Sequence, residues 1–425
     1  MDRKKIIIVG GGFAGISFVK HLDENLFDLL LIDKLNHHQF QPLFYQVATS
    51  QLEPSSVSFP LRKIFQKRKN TQIRLTEVLS VDTAANTIHT TIGNFDYDYL
   101  VIATGCKTNF FGNKVIEKYA YSLKTTYDGI KIRNLILQSF EDLLSVDENE
   151  KENLLNIVIV GAGPTGVELA GAFAEIRNTI LPKDFPLIDF KKLKIILLEG
   201  SAHTLNNMSD LAKKASENYL KKMGTEVKTN VIVKNYDGKI VTLNNGETIK
   251  SKQVIWTAGV TGNIISGMDE KIIVANKRFI VDRYNVVQGY STIYAIGDIA
   301  CMETPAYPKG HPQVANVAIN QARNLAKNFK SLVLNKPLLQ YEYTNLGTMA
   351  TIGKNKAVVD LPFIKFKGYF AWFVWMFLHL MLILSVRNKL IILINWGWNY
   401  LTKDTSLRLI LKDNSLSSVI PSPIE

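Results

Sequence analysis

One pattern, found twice, leaves few folds open to this 425-residue chain. Ile6-Ile7-Ile8-Val9 is a β-branched run of strand length, Gly10-Gly11-Gly12-Phe13-Ala14-Gly15 follows at once, and Ile16 to Leu22 reads as a helix. In such an arrangement Gly10 permits the tight turn, Gly12 lets backbone approach a pyrophosphate, and Gly15 lets the helix pack on the strand. The helix N-terminus then turns its N–H groups towards the anion. The next strand, Leu29-Leu30-Leu31-Ile32, ends at Asp33, where a carboxylate accepts from ribose hydroxyls. The pattern recurs at Ile157-Val158-Ile159-Val160, Gly161-Ala162-Gly163-Pro164-Thr165-Gly166 and the helical run Val167 to Ile176. Its second strand, Ile195 to Leu198, ends in Glu199, and Pro182 and Pro186 mark the loop that lengthens the interval. An acid there repels a 2′-phosphate and accepts from a free 2′-hydroxyl, and no arginine stands beside it, so NADH is favoured over NADPH.

Two further segments close the first site. Tyr99 to Ile102 is an apolar strand ending in Ala103-Thr104-Gly105, small residues suited to backbone passing near a ligand. Thr292 to Ile296 ends in Gly297-Asp298, where an aspartate suits the ribityl hydroxyls of a flavin or, alternatively, a helix cap. The length suits two or three domains, and 46% hydrophobic with 21% charged residues excludes a disordered chain. A net charge of +12 fits nucleic acid, an anionic membrane or anionic ligands, so its location must decide. Cys106 and Cys301 are the only cysteines, which excludes a disulfide framework and a CxxC pair. At the start, Met1-Asp2-Arg3-Lys4-Lys5 precedes an apolar run of only four residues before the glycines. No cleavable targeting segment is expected, and the protein is expected on the cytoplasmic side.

The last sixty residues have another composition. Trp372, Trp375, Trp396 and Trp398 are four of the five tryptophans, and Lys365, Lys367, Arg387, Lys389 and Lys403 occur with no acid between Leu361 and Lys403. That is a membrane-facing signature. Tyr369 to Val386 predicts a helix of about 27 Å at 1.5 Å per residue, close to the roughly 30 Å of a hydrocarbon core. Spanning, lying flat and burial in a core all remain open for it. In the next helix Asn388, Asn395, Asn399 and Lys403 recur on one face while Leu390, Ile391, Leu393 and Ile394 lie elsewhere, which predicts an interfacial helix.

Together these motifs resemble the two-dinucleotide-fold flavoproteins, the family of glutathione and ferredoxin reductases. Asn36-His37-His38-Gln39-Phe40-Gln41-Pro42-Leu43-Phe44-Tyr45-Gln46-Val47-Ala48 and Gly163-Pro164-Thr165-Gly166-Val167-Glu168 resemble, more narrowly, the type II NADH dehydrogenases. The likeness runs from Ile6 to about Leu401. It implies an α/β fold of two Rossmann-like dinucleotide-binding domains (glutathione-reductase-like) plus a C-terminal helical membrane-anchoring segment. The implied domains are an FAD-binding one over 1–110 and 278–355, an NADH-binding one over 111–277, and an amphipathic anchoring region over 362–425. By resemblance, noncovalent FAD contacts Gly10, Gly12, Phe13, Ala14, Gly15, Asp33, Lys34, Gln46, Val78, Ala103, Thr104, Gly105, Gly297, Asp298, Val314 and Ala315. NADH contacts Gly161, Gly163, Pro164, Thr165, Gly166, Glu168, Glu199, Ala258 and Gly259.

Glu168 falls where the family places an acid near nicotinamide and flavin; a first-turn glutamate complementing the helix dipole is the alternative. The family's quinone motif aligns with Ala315-Asn316-Val317-Ala318-Ile319-Asn320, followed by Gln321, with asparagines where the family has glutamines. Asn316 and Asn320 thus keep the amide chemistry but reach one methylene less. The expected activity is hydride transfer from NADH to FAD and two electrons onward to a membrane quinone, whose identity stays open. No proton pumping, no metal and no nucleic acid are expected. The resemblance further implies monotopic attachment to a lipid bilayer surface at the cytoplasmic face, often as a homodimer. Two rivals stand beside this reading. A sulfide:quinone reductase needs redox cysteines near the flavin, and a nucleotide-sensing flavoprotein would lack turnover.

Overall fold

The computed structural model describes residues 3–274, 276–405 and 407–411. Of the expected anchoring region, residues 406 and 412–425 lie outside the described residues. Contacts gather the chain into two compact units. One comprises residues up to Gln39 with Ser58–Lys107 and Val260–Asn345; the other comprises Phe40–Val57, Thr108–Gly259 and the chain from Leu346 onward. This division differs from the linear domains: residues 108–110 and the carboxy-terminal region fall in the second unit, and three further differences each have a packing cause. Residues 260–277 join the first unit, where Asn263 N–H donates to the Gly105 carbonyl and Thr104 Oγ1 donates to that of Asn263 at 2.7 Å. Residues 346–355 join the second because strand Thr348–Gly353 lies so close to Gly171 that an added Cβ would stand 1.8 Å from the Ile352 oxygen. Residues 40–57 join it because a Cβ on Gly129 would meet Val47 at 3.2 Å and the Phe44 oxygen at 3.4 Å.

Each unit is built on a five-stranded sheet, and both sheets have the same plan. The first runs Ile293–Ala295, Tyr99–Ile102, Lys4–Val9, Phe27–Asp33, Thr71–Leu75, all parallel. The second runs Tyr121–Ser122, Gln253–Trp256, Asn156–Val160, Lys194–Leu198, Glu226–Lys228, again all parallel. In both, the strand before the glycine loop is central and covered on two faces. Such a strand must be apolar at every position rather than at alternate ones, and Ile6 to Val9 and Ile157 to Val160 are all buried. Helices Phe13–His21 and Pro164–Thr179 make the crossovers. Phe18 of the first meets Phe329 of helix Ala315–Val333 edge to face at 5.6 Å, in one core with Ile6, Ile8 and Ala322.

The carboxy-terminal part of the second unit adds an antiparallel sheet, Thr348–Gly353, Lys356–Asp360 and Lys365–Lys367, and two helices, Tyr369–Leu382 and Val386–Thr402. The continuous helix predicted over 369–386 is therefore interrupted. Ile383 and Ser385 are extended, with ψ of 133° and 132°. The break buries Ile383 and turns the second helix so that Asn388, Ile392 and Trp396, four residues apart, face inward. Asn388 Nδ2 donates to the carbonyls of Ser55 and Ser56, both at 2.9 Å. Among the described residues no helix is long and apolar enough to cross a membrane. Phe370, Phe373, Phe377, Leu393, Ile394 and Trp398 remain exposed. The asparagine face of the second helix thus turns towards protein and its apolar face outwards.

Candidate functional site

The two glycine loops have the same geometry. Gly10 N–H donates to Ile32 O and Gly161 N–H to Leu198 O, both at 2.8 Å. Ala103 N–H reaches Val9 O and Thr257 N–H reaches Val160 O, also at 2.8 Å, which brings Ala103-Thr104-Gly105 and Ala258-Gly259 beside their loops. Asp33 Oδ2 accepts from Gly11 N–H at 2.5 Å, and Glu199 Oε2 from Ala162 N–H at 2.6 Å. A Cβ on Gly15 would stand 1.8 Å from the Gly10 oxygen, and one on Gly166 would stand 1.8 Å from the Gly161 oxygen. Helix and loop touch backbone to backbone, which only glycine allows.

Both loops fit a dinucleotide on three counts. An added Cβ on Gly12 or Gly163 meets nothing within 4 Å, so each middle glycine faces open space. Neither helix has a side-chain cap, and neither has an acid in its first turn. Uncapped N–H groups at the positive end of a helix dipole form an anion cradle. Phe13 and Ala14 open the first helix, and the exposed Pro164 and Thr165 open the second. The remaining polarity also fits. Burial raises the Asp33 carboxyl against the lowering effect of the Gly11 and Leu35 N–H groups, while Glu199 Oε1 holds Ser201 through N–H at 2.8 Å and Oγ at 2.7 Å.

In the first unit Gly297 adopts φ 76° and its N–H donates to Gln321 Oε1 at 2.8 Å. Gln313 Nε2 donates to the Asp298 carbonyl at 2.9 Å, and Cys106 Sγ donates to Asp298 Oδ2 at 2.9 Å. The Gly-Asp turn is therefore held by Gln321 of helix Ala315–Val333, by Gln313 just before that helix and by Cys106, and the helix N-cap Val314 offers no side-chain partner to its first N–H groups. Val78 opens strand Val78–Asp82, and the exposed Lys34 pairs with Glu77. Cys106 and Cys301 are not joined in a disulfide. Asn316 and Asn320 lie one turn apart on the same helix, with Asn320 Nδ2 donating to Asn316 Oδ1 at 2.7 Å. The Asn316 nitrogen is buried, and its amide stands against the Tyr343 hydroxyl. Sequence reasoning passes over His38, whose buried ring donates from Nδ1 to the Gly11 carbonyl at 3.1 Å. Burial lowers it to about 4, so it steadies the loop as a neutral group.

Gln46, unlike the other expected FAD contacts, belongs to the second unit, and its amide is engaged by Tyr45 and Trp396. There a cavity of about 410 Å³ is bounded by helix Pro164–Thr179, the Thr348–Asp360 hairpin and both carboxy-terminal helices. Glu168, Glu175, Tyr45, Gln46, Trp375 and Trp396 line it. Glu168 lies beyond the first turn of its helix and is buried, so capping the dipole is not its role. Burial pushes its carboxyl up to about 8, against the lowering effects of the Thr351 N–H at 3.4 Å and of Trp375. It carries a proton at neutral pH. Burial also raises Glu175, seven residues along the helix. Tyr45, Glu175 and Trp396 carry no motif of their own, although Tyr45 stands inside the segment that bears the family resemblance.

Residues 4–322 match the family described as pyridine nucleotide-disulphide oxidoreductase, and residues 345–403 match the NDH2 C-terminal domain. The chain is 33% identical over 414 residues to a type II NADH:quinone oxidoreductase of Mycobacterium tuberculosis, covering 94% of this chain and 87% of that one. To a probable NADH dehydrogenase of Dictyostelium discoideum it is 31% identical over 408 residues, covering 93% and 89%. Its fold is similar to that of NDH2 from Plasmodium falciparum, solved in complex with NADH, with a TM-score of 0.89 at 23% identity over 97% of this chain and all of that one.

Proposed function

This chain belongs to the pyridine nucleotide-disulphide oxidoreductases and, within them, to the type II NADH:quinone oxidoreductases, and from that premise we propose how its own residues share the work. The reaction converts NADH, one proton and quinone into NAD⁺ and quinol, without pumping protons. FAD, when bound, supplies the two-electron centre between the substrates. The observation that carries the assignment of residues is the pair of uncapped glycine loops, each with an acid at the end of its second strand.

The first unit holds FAD through the Gly10 to Gly15 loop, Asp33 and the Gly297-Asp298 turn. The second holds NADH through Gly161 to Gly166 and Ala258-Gly259, and Glu199 excludes the 2′-phosphate of NADPH. Asn316 and Asn320 face the quinone, and their amides, one turn apart on one helix, offer hydrogen bonds to a ring carbonyl. Glu168 holds the proton that the quinone half-reaction consumes. The exposed apolar face of the carboxy-terminal helices, with Lys365, Lys367, Arg387 and Lys389 nearby, suits an anionic bilayer surface at the cytoplasmic face. A second copy of the chain as partner is proposed on family resemblance alone.

The test is direct. The purified protein is yellow, acid precipitation releases all its flavin as FAD, and a panel of soluble quinones accelerates NADH oxidation. FMN, flavin retained in the pellet, or indifference to every quinone would refute the reading. Quinone reduction by sulfide without NADH would move it to the sulfide:quinone reductases.

A further inference from the structure

Trp396, on the second carboxy-terminal helix, has a single side-chain polar group, the indole N–H, and it donates to Gln46 Oε1 at 2.8 Å. An indole nitrogen only donates. The carboxamide is therefore fixed with its oxygen towards Trp396 and its nitrogen towards Tyr45, whose hydroxyl accepts from Gln46 Nε2 at 2.8 Å. All three side chains are buried, and all three line one cavity. Having accepted, the Tyr45 hydroxyl still has its own hydrogen to give, and among the described residues that hydrogen meets no protein acceptor. Burial first, and Glu168 second, push this hydroxyl well above its ordinary value, so it works as a donor and not as an anion.

Tyr45 and Glu168 line the same cavity of about 410 Å³, which at roughly 30 Å³ per molecule has room for several waters. We propose that Trp396, acting through Gln46, aims the Tyr45 hydroxyl into this cavity as a proton relay that serves Glu168 during quinone reduction. Gln46 and Trp396 are positioning residues. In each turnover Tyr45 passes its hydrogen to the neighbouring acceptor and regains one from cavity water, so it is neither oxidised nor left charged. One proton per quinol, drawn from the medium, balances the reaction. The inference rests on the NADH:quinone reading and goes beyond it by making a helix of the anchoring region part of the proton supply.

The relay has charged and titratable neighbours on every side. Glu168 and Glu175 come from the glycine helix, Lys354 and Lys356 from the hairpin, and Lys403 from the end of the second carboxy-terminal helix. His379 of the first carboxy-terminal helix stacks on Trp375 at 4.1 Å and is lowered to about 4 by burial, so it stays neutral. Arg133 is the buried charge of helix Thr126–Asp142, which packs on Phe44–Ala48.

Stopped-flow half-reactions of the full-length, FAD-loaded enzyme test the proposal. Tyr45→Phe removes the hydrogen. Gln46→Glu keeps the bond from Trp396, but its carboxylate accepts from Tyr45 and turns the hydrogen away from the cavity; Trp396→Phe frees the amide to flip. Flavin reduction by NADH stays within about twofold of wild type in Tyr45→Phe and Trp396→Phe, whereas reoxidation by quinone slows by about tenfold in Tyr45→Phe and Gln46→Glu, the scale of one lost hydrogen bond, and by less in Trp396→Phe. Lowering the pH protonates the introduced carboxyl, lets it donate as the amide does, and restores Gln46→Glu but not Tyr45→Phe. In the resting enzyme labelled with ¹⁵N-tryptophan, one indole N–H that exchanges slowly with water loses protection in Gln46→Leu and keeps it in Gln46→Glu. Wild-type reoxidation in Tyr45→Phe, a Gln46→Glu defect indifferent to pH, equal slowing of both half-reactions, or unchanged indole exchange in Gln46→Leu overturns the relay. A wild-type enzyme reduced by NADH that no quinone reoxidises would instead overturn the reading on which it rests.

Discussion

Glu168→Gln separates the energetic consequence of a buried acid from its chemistry. Burial holds the carboxyl at about 8 instead of the ordinary 4.5. Between those values the folded chain keeps a proton that the unfolded chain releases, so stability falls by about 1.36 kcal/mol for each pH unit. The contribution is complete below 4.5 and is lost as pH rises through 8, about 5 kcal/mol in all. Glutamine has nearly the same shape, still accepts from the Thr351 N–H and does not titrate. The variant should therefore gain on wild type by under about 1 kcal/mol at pH 5, about 3 at pH 7 and about 5 above pH 8. Guanidinium unfolding followed by tryptophan fluorescence reads this difference, with FAD fixed and NADH absent, because bound ligands shift apparent stability. A gap that stays constant with pH, or a variant less stable than wild type at pH 9, would show that Glu168 is not a buried neutral acid. Since 5 kcal/mol is comparable with the whole stability of a domain, so costly a group suits a functional site. Its replacement should slow reoxidation by quinone while leaving flavin reduction intact.

Gly15→Ala should abolish FAD retention and Gly166→Ala should abolish NADH binding, each without the other's defect, since either Cβ would stand 1.8 Å from a carbonyl oxygen; flavin content and NADH titration distinguish them. Glu199→Gln should narrow the kcat/KM preference for NADH over NADPH, and an unchanged ratio would place discrimination elsewhere. Asn316→Leu or Asn320→Leu should slow reoxidation by quinone up to about tenfold in stopped-flow traces, with reduction by NADH near normal; equal slowing of both steps would return this helix to core packing. Leu393→Glu combined with Ile394→Glu, both on the exposed face, should release the protein from anionic vesicles with its FAD in place. Deleting residues 362–425 is a poorer test of anchoring, because it also removes the buried Trp375, Ile392 and Trp396.

The two nucleotide folds were legible in the chain because every constraint on them is local. A strand covered on two faces must be apolar throughout, a glycine loop must bring backbone against backbone, and an acid must close the next strand. All three lie within about forty residues, so Gly10 to Asp33 and Gly161 to Glu199 are where the pattern puts them. Tertiary structure decided what depends on partners distant in sequence. Nothing in the sequence says that the second carboxy-terminal helix is tied to protein by Ser55 and Ser56 receiving Asn388 and by Gln46 receiving Trp396, more than 330 residues away. The same distance hides Tyr45, an ordinary aromatic until an indole from the far end of the chain sets the direction of its hydrogen bond. Glu168 could be singled out by its motif, but whether it is an anion at a helix end or a protonated acid in a cavity depends on Thr351 and Trp375 closing over it. Desolvation is a property of the packed surroundings, and no spacing along the chain encodes it.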